Sequence, residues 1–205
     1  MFRRTAVLAS FACLLAAGAS AQTAPVAPAG SPVRLRGTAA AVSADSLTVA
    51  TREGPQVVVK LNQPLTVTAL KAVPVEDIKP GSFLAIVSKP GMDDLEAVSV
   101  IYFPPGTTGP REGQFPWDLP NTTMTNAAVS GAVTSTTGRE VALSFSGRSG
   151  KLTIPPGTPV VTQIPAVVAD LIPGVPVFIF ATKGADGVVS AARVTVGKDG
   201  VNPAS

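Results

Sequence analysis

Asp77-Ile78-Lys79-Pro80-Gly81 and Asp170-Leu171-Ile172-Pro173-Gly174 are the two stretches whose reading decides the fold. Proline suits the second position of a tight turn because its ring fixes φ. Glycine suits the third because a type II turn demands a positive φ there. The aspartate ahead of each pair can cap a short helical or 3₁₀ turn. We therefore expect such a turn at 75–79 and at 168–172, and no other helix.

Outward from these turns the flanking sequence matches as well. An apolar strand follows each one, Phe83–Val87 and Val177–Ala181. Next comes a polar turn, Lys89-Pro90-Gly91-Met92-Asp93-Asp94 or Lys183-Gly184-Ala185-Asp186-Gly187. Each half closes on an alternating strand, Ala97–Tyr102 or Ala192–Val196. Upstream, Gly37 leads to Leu47-Thr48-Val49 as Gly131 leads to Val141-Ala142-Leu143, and Pro64–Val67 answers Thr158–Val161. The offset stays between 93 and 96 residues throughout, the mark of an internal repeat.

Side chains alternate with period two at Leu47, Val49 and Thr51 and again at Val57, Val59 and Leu61. This is the pattern of half-buried strands. Arg52-Glu53-Gly54-Pro55 between them makes the pair a hairpin. Five or six short strands per half cannot bury their faces in a flat sheet, whereas curling into a barrel also closes the edges. The expected fold is all-β: two tandem small OB-like barrels, each with one short helical turn.

The N-terminus has a different character. Arg3 and Arg4 precede an apolar run of 14 residues, Thr5 to Gly18, and Ala19-Ser20-Ala21 is a small-x-small cleavage site. The pattern is that of a signal peptide over 1–21, too short to span a bilayer. An Ala/Pro linker over 22–32 follows, then barrel repeat 1 over 33–103, a connector over 104–126, barrel repeat 2 over 127–200 and a tail over 201–205. The expected location is periplasmic or secreted.

Without Arg3 and Arg4 the net charge falls from +3 to +1. A near-neutral surface with no basic run offers nucleic acid no electrostatic footprint, so no nucleic-acid partner is expected. No later apolar run reaches membrane length, so the mature chain is expected to hold no transmembrane helix. Cys13 lies within the signal and the chain has no histidine. Ser-His and Cys-His nucleophiles cannot be built, and soft-metal sites lose their main ligands. No cofactor and no catalytic residue is assigned.

The remaining candidates each carry a plainer reading. Asp93, Asp94 and Glu96 could offer oxygen ligands to a hard cation, but they also suit a solvated acidic turn. Ser146, Ser149 and Lys151 lie close in sequence, yet Gly147-Arg148-Ser149-Gly150 reads as a hairpin turn. In the connector, Phe115, Trp117 and Asp118 are the candidate ligand-binding residues. The aromatic pair could stack a sugar or base, or it could staple the connector to one barrel or between both. The staple is the preferred reading because tryptophan is usually largely buried.

The chain resembles a family of exported bacterial proteins carrying a repeated small β-barrel domain of unknown function. The residues that carry the likeness are Arg36-Gly37-Thr38, Leu47-Thr48-Val49, Asp77–Phe83 and Glu96–Val100, with Gly131, Asp170–Gly174 and Arg193–Val196 in the second half. Arg111-Glu112-Gly113 and Trp117-Asp118-Leu119 resemble the bridge in such proteins, and Met124–Ala127 the opening of their second copy. Some relatives bear the name of metal-transport permeases, a role that needs several spanning helices.

The expectation is a non-enzymatic binding or scaffold protein of the envelope, with an envelope protein or glycan as partner. An accessory role in envelope solute or metal transport comes second. A hydrolase using Asp, Glu, Ser or Lys comes third.

Overall fold

The computed structural model describes residues 30–91, 93–117, 119–135 and 138–203, without the side chains of 133–138. The expected signal peptide over 1–21 and residues 22–29 of the linker lie outside the described residues, as do Met92 and Asp118.

The protein is all-β. The first half holds β1 (Ser31–Val42), β2 (Ser46–Thr51), β3 (Gln56–Ala72), a 3₁₀ turn at Val75–Asp77, β4 (Phe83–Ser88) and β5 (Asp94–Phe103). The short β6 (Gly113–Pro116) lies in the connector. The second half holds β7 (Thr123–Ser135), β8 (Gly138–Phe145), β9 (Arg148–Ile154), β10 (Val160–Ala166), a 3₁₀ turn at Val168–Asp170, β11 (Pro176–Lys183) and β12 (Val189–Gly197).

The pairing closes two five-stranded rings, and each ring takes strands from both halves. In the first ring β1, β2 and β3 form an antiparallel meander. Strand β11 pairs antiparallel with β1, β12 pairs antiparallel with β11, and β12 closes the ring by running parallel to β3. In the second ring β7, β8 and β9 form the meander, β4 pairs with β7, β5 pairs with β4, and β5 closes parallel to β9. The two rings thus have the same strand order and directions.

This pairing runs across the expected segmentation. A barrel confined to 33–103 would pair β1 with β4, and one confined to 127–200 would pair β7 with β11. Instead β1 takes β11 (Leu35 opposite Ile179) and β7 takes β4 (Ala127 opposite Leu84). The connector boundary also shifts. Residues 123–126 already belong to β7, and β6 pairs with them from Gly113–Asn126 to Pro116–Thr123.

Two separate cores follow from the alternation. Leu47, Val49, Val59, Val177, Ile179 and Val194 are among those that fill the first ring, each essentially inaccessible to solvent. Leu84, Ile86, Val100, Val141, Phe145 and Leu152 are among those that fill the second. Small barrels are packed with side chains in this way.

Each Pro-Gly turn behaves as its sequence predicts. Gly81 has φ +86° and Gly174 φ +91°. The Ser82 N–H donates to the Lys79 carbonyl at 3.0 Å, and the Val175 N–H to Ile172 at 3.3 Å. The 3₁₀ turns then plug the rings: Ile78 is fully buried in the second core and Leu171 in the first. Asp170 caps its turn by accepting the Val167 N–H at 2.9 Å, whereas the turn at Val75–Asp77 has no side-chain cap. Each turn docks on the other half's first strand. The Gly174 N–H donates to Ala39 at 2.8 Å and the Gly81 N–H to Val129 at 3.0 Å.

A central seam joins the rings. The far end of β3 runs antiparallel to β10 over Val67–Ala72, and β10 runs parallel to β5 at Val100–Tyr102. Among the described residues no helix is long and apolar enough to cross a membrane.

Candidate functional site

Between the outer faces of the two rings lies a cleft roofed by the connector. On β1, Leu35 points into the first core, so its neighbours Arg34 and Arg36 point outward. On β11, Ile179 points inward and Phe178 and Phe180 outward. The register sets Arg34 opposite Phe180 and Arg36 opposite Phe178. Period-two alternation and pairing together thus build a four-residue patch of cations and rings.

Trp117 closes this patch from above. Its backbone N–H donates to the Thr122 carbonyl at 3.2 Å, and the Thr122 hydroxyl donates to Leu119 at 2.7 Å. That tight loop aims the indole at the cleft. The Arg34 guanidinium carbon lies 4.7 Å from the Trp117 ring centroid and 5.7 Å from that of Phe180. For Arg36 the distances are 5.7 Å to Trp117 and 4.6 Å to Phe178. Phe178 and Phe180 meet edge to face at 4.8 Å. Such cation–π contacts contribute about 0.5–2 kcal/mol each, more when desolvated, and Arg36 is only 6% exposed.

On the second ring Trp117 and Leu119 pack against a small apolar cluster, Ala85, Val87 and Met124, together with Ile101 and Phe103. The indole therefore touches both rings. Trp117→Ala is expected to lower stability by about 2–3 kcal/mol, somewhat less than a fully buried aromatic loses. Urea denaturation checks this, and a loss below about 0.5 kcal/mol would show that the ring holds nothing together.

Two cavities of about 410 Å³ each flank Trp117. They share Leu70, Ile101, Trp117, Met124 and Phe178 as walls. The first runs on past Arg36 towards Val201 and Pro203, and the second past Asn126, Gln163, Arg193 and Thr195. Among the buried polar atoms of the described wall residues, the Trp117 Nε1–H and the Asn126 Oδ1 have no hydrogen-bond partner. The other end of the Asn126 amide is fixed, because its Nδ2 donates to the Arg111 carbonyl at 2.9 Å.

The structure separates the candidates that the sequence grouped. Phe115 lies under Arg111, 4.8 Å from its guanidinium, while Trp117 faces Arg34 and Arg36, so the two do not share a cationic partner. Asp118 lies outside the described residues. Asp93 pairs with Arg148 at 2.5 Å and Glu96 with Lys89 at 2.5 Å, and Asp94 is exposed. Among the described residues no three His, Cys, Asp or Glu side chains gather to hold a metal ion.

Lys151 accompanies Ser149 on β9, but its ammonium donates to Glu140 at 2.8 Å. That hydrogen bond, with the charge of Glu140 behind it, holds Lys151 above its ordinary pKa. A lysine that activates a serine needs the opposite shift.

Arg34, Arg36, Asn126, Phe178, Phe180 and Arg193 escaped the reading from sequence. For Arg34, Arg36, Phe178 and Phe180 the signal was present as Arg-x-Arg and Phe-x-Phe flanking inward residues. What brings them together is the pairing of strands more than 140 residues apart.

No family model, no curated protein and no solved structure matches this chain.

Proposed function

We propose that this chain is an exported, non-enzymatic binding protein of the bacterial envelope, with the cleft between its rings as the binding site. The observation that carries the reading is the cleft itself. Its two cavities fall within the roughly 300–1,000 Å³ of small-molecule sites, and its walls are mostly apolar with a few convergent polar groups. Orphaned buried polar atoms such as the Asn126 Oδ1 cost stability unless something meets them, which is expected of a site shaped for a ligand.

Each ring is read as an OB-like barrel. The support is a three-strand meander closed by two later strands, the last of them parallel to the third, with a short plug before the fourth. The same connectivity in both rings supports a duplicated unit. Export rests on the pattern over 1–21. An accessory role in envelope solute transport is the second reading and would use the same cleft.

The test is capture from envelope extract with the mature protein and with Leu70→Trp, which fills both cavities from their shared wall. Species retained by the first and lost by the second, with circular dichroism unchanged, are the expected result. Identical capture by both would end the reading. N-terminal sequencing of the exported chain checks the location, with Gln22 expected first.

A further inference from the structure

Resting on the reading of the cleft as a binding site, we infer that its ligand is a single-chain amphiphile with a hydroxylated, anionic head. A 3-hydroxy fatty carboxylate is the simplest member of that class. Three sets of residues point to the three parts of such a molecule.

The chain is indicated by the shared walls. Leu70, Ile101, Met124 and Phe178 are walls common to both cavities, which lie next to each other at Trp117. A flat ring stacked on the aromatics is disfavoured, because Trp117, Phe178 and Phe180 each already carry a guanidinium within 6 Å of the ring. Ring edges and aliphatic side chains are left, and these suit an acyl chain.

The negative charge is indicated by the composition of the walls. Among the described residues of these walls the only charged side chains are Arg36 and Arg193, with no carboxylate. Arg193 is exposed and stands in the second cavity with Thr195 and Gln163. No acidic side chain pairs with it among the described residues.

The hydroxyl is indicated by Asn126. Its Oδ1 is an acceptor without a partner in a residue 92% buried, at 8% exposure, and it lines the same cavity as Arg193. An anion alone cannot satisfy an acceptor, whereas a hydroxyl next to the head group can. The buried Trp117 Nε1–H supplies a donor for a head-group oxygen.

A peptide is the competing occupant, since it too combines a carboxylate, N–H donors and apolar groups. Peptides that lie along sheets pair with an open strand edge. Over Val67–Leu70 and Val160–Thr162 the seam that floors this cleft offers none among the described residues. Strand β3 lies between β12 and β10, β10 between β3 and β5, and β5 between β10 and β4. An acyl chain has no backbone to satisfy.

The experiment uses Trp117, the only tryptophan in the protein, as its own reporter. The mature full chain is titrated with 3-hydroxymyristate below its micelle-forming concentration, and with myristate and methyl 3-hydroxymyristate. We expect a saturable change in tryptophan emission at one equivalent of 3-hydroxymyristate. Affinity should drop about tenfold for the methyl ester and for Arg193→Gln, as loss of a charge-assisted hydrogen bond implies. Myristate should bind about fivefold more weakly, and Asn126→Ala should abolish that preference.

No saturable change, equal affinity for acid and ester, or equal affinity with and without the hydroxyl would each overturn the assignment. So would a peptide that competes at the cleft while the amphiphiles do not. If these titrations fail while capture still depends on Leu70, the ligand class is wrong and the binding role stands. If both fail, the binding role falls with it.

Discussion

Residues 30–108 and 109–203, made as separate polypeptides, are expected to lose the cooperative unfolding of the intact chain and to recover it on mixing. The reason is the exchange of strands. Alone, the first piece keeps β1, β2 and β3 but lacks β11 and β12, so the outer edges of β1 and β3 and the apolar face inside them are exposed. The second piece lacks β4 and β5 for the same purpose. The loss is the whole folding free energy, about 5–15 kcal/mol for a domain of ordinary stability. In the intact chain the connector makes ring closure intramolecular, at an effective concentration in the millimolar range for a short flexible link. Denaturation followed by circular dichroism, with and without the complementary piece, is the measurement. A single piece that melts cooperatively as a monomer would mean that a ring can close within one half, and that the exchange is a preference rather than a requirement.

Gly37→Ala is expected to cost about 3 kcal/mol or more, while Gly131→Ala stays within about 1 kcal/mol of the parent. The sequence presents the two glycines as equivalent, 94 residues apart. A Cβ on Gly37 would sit 2.1 Å from the Ala50 carbonyl oxygen and 2.9 Å from the Thr51 Cα, and backbone on a paired strand cannot step aside. A Cβ on Gly131 would meet only the Ala142 Cβ, at 3.6 Å, an ordinary contact. The difference lies in the bulges. Strand β7 breaks register at Val129–Gly131, beside its glycine, whereas β1 holds register with β2 from Gly37 to Ala39. Equal melting temperatures for the two variants would show that β1 can shift as β7 does.

The two glycines also mark where reading from sequence stops. Local signals were legible in detail. The Pro-Gly turns, the 3₁₀ turns ahead of them and the hairpin at 52–55 follow from φ preferences that act over a few residues. Inward positions such as Leu47, Val49 and Val59 follow from alternation alone. Of the site, only Trp117 was legible, because a lone tryptophan among prolines is conspicuous. Asp93 and Glu96 stood out as an acidic group, and the structure gives each a cationic partner instead. Asn126 was not legible as a candidate, since a polar residue at the start of a strand is ordinary until both flanking strands bury it.

By itself the sequence determined that this is a strand-built chain, and it marked the Pro-Gly turns and many of the positions that hide an apolar side. Those properties depend on backbone torsions and on period-two spacing, both of which act within a few residues. Which partner completes each ring was decided only in three dimensions. Strands β4 and β11 are both short and apolar and hold equivalent places in the two rings, so β1 could accept either on local grounds. The choice rests on how the turns at Val75–Asp77 and Val168–Asp170 aim the chain, and on the β3–β10 seam between the rings. That same choice places Arg34 and Arg36 beside Phe178 and Phe180, and so creates the cleft.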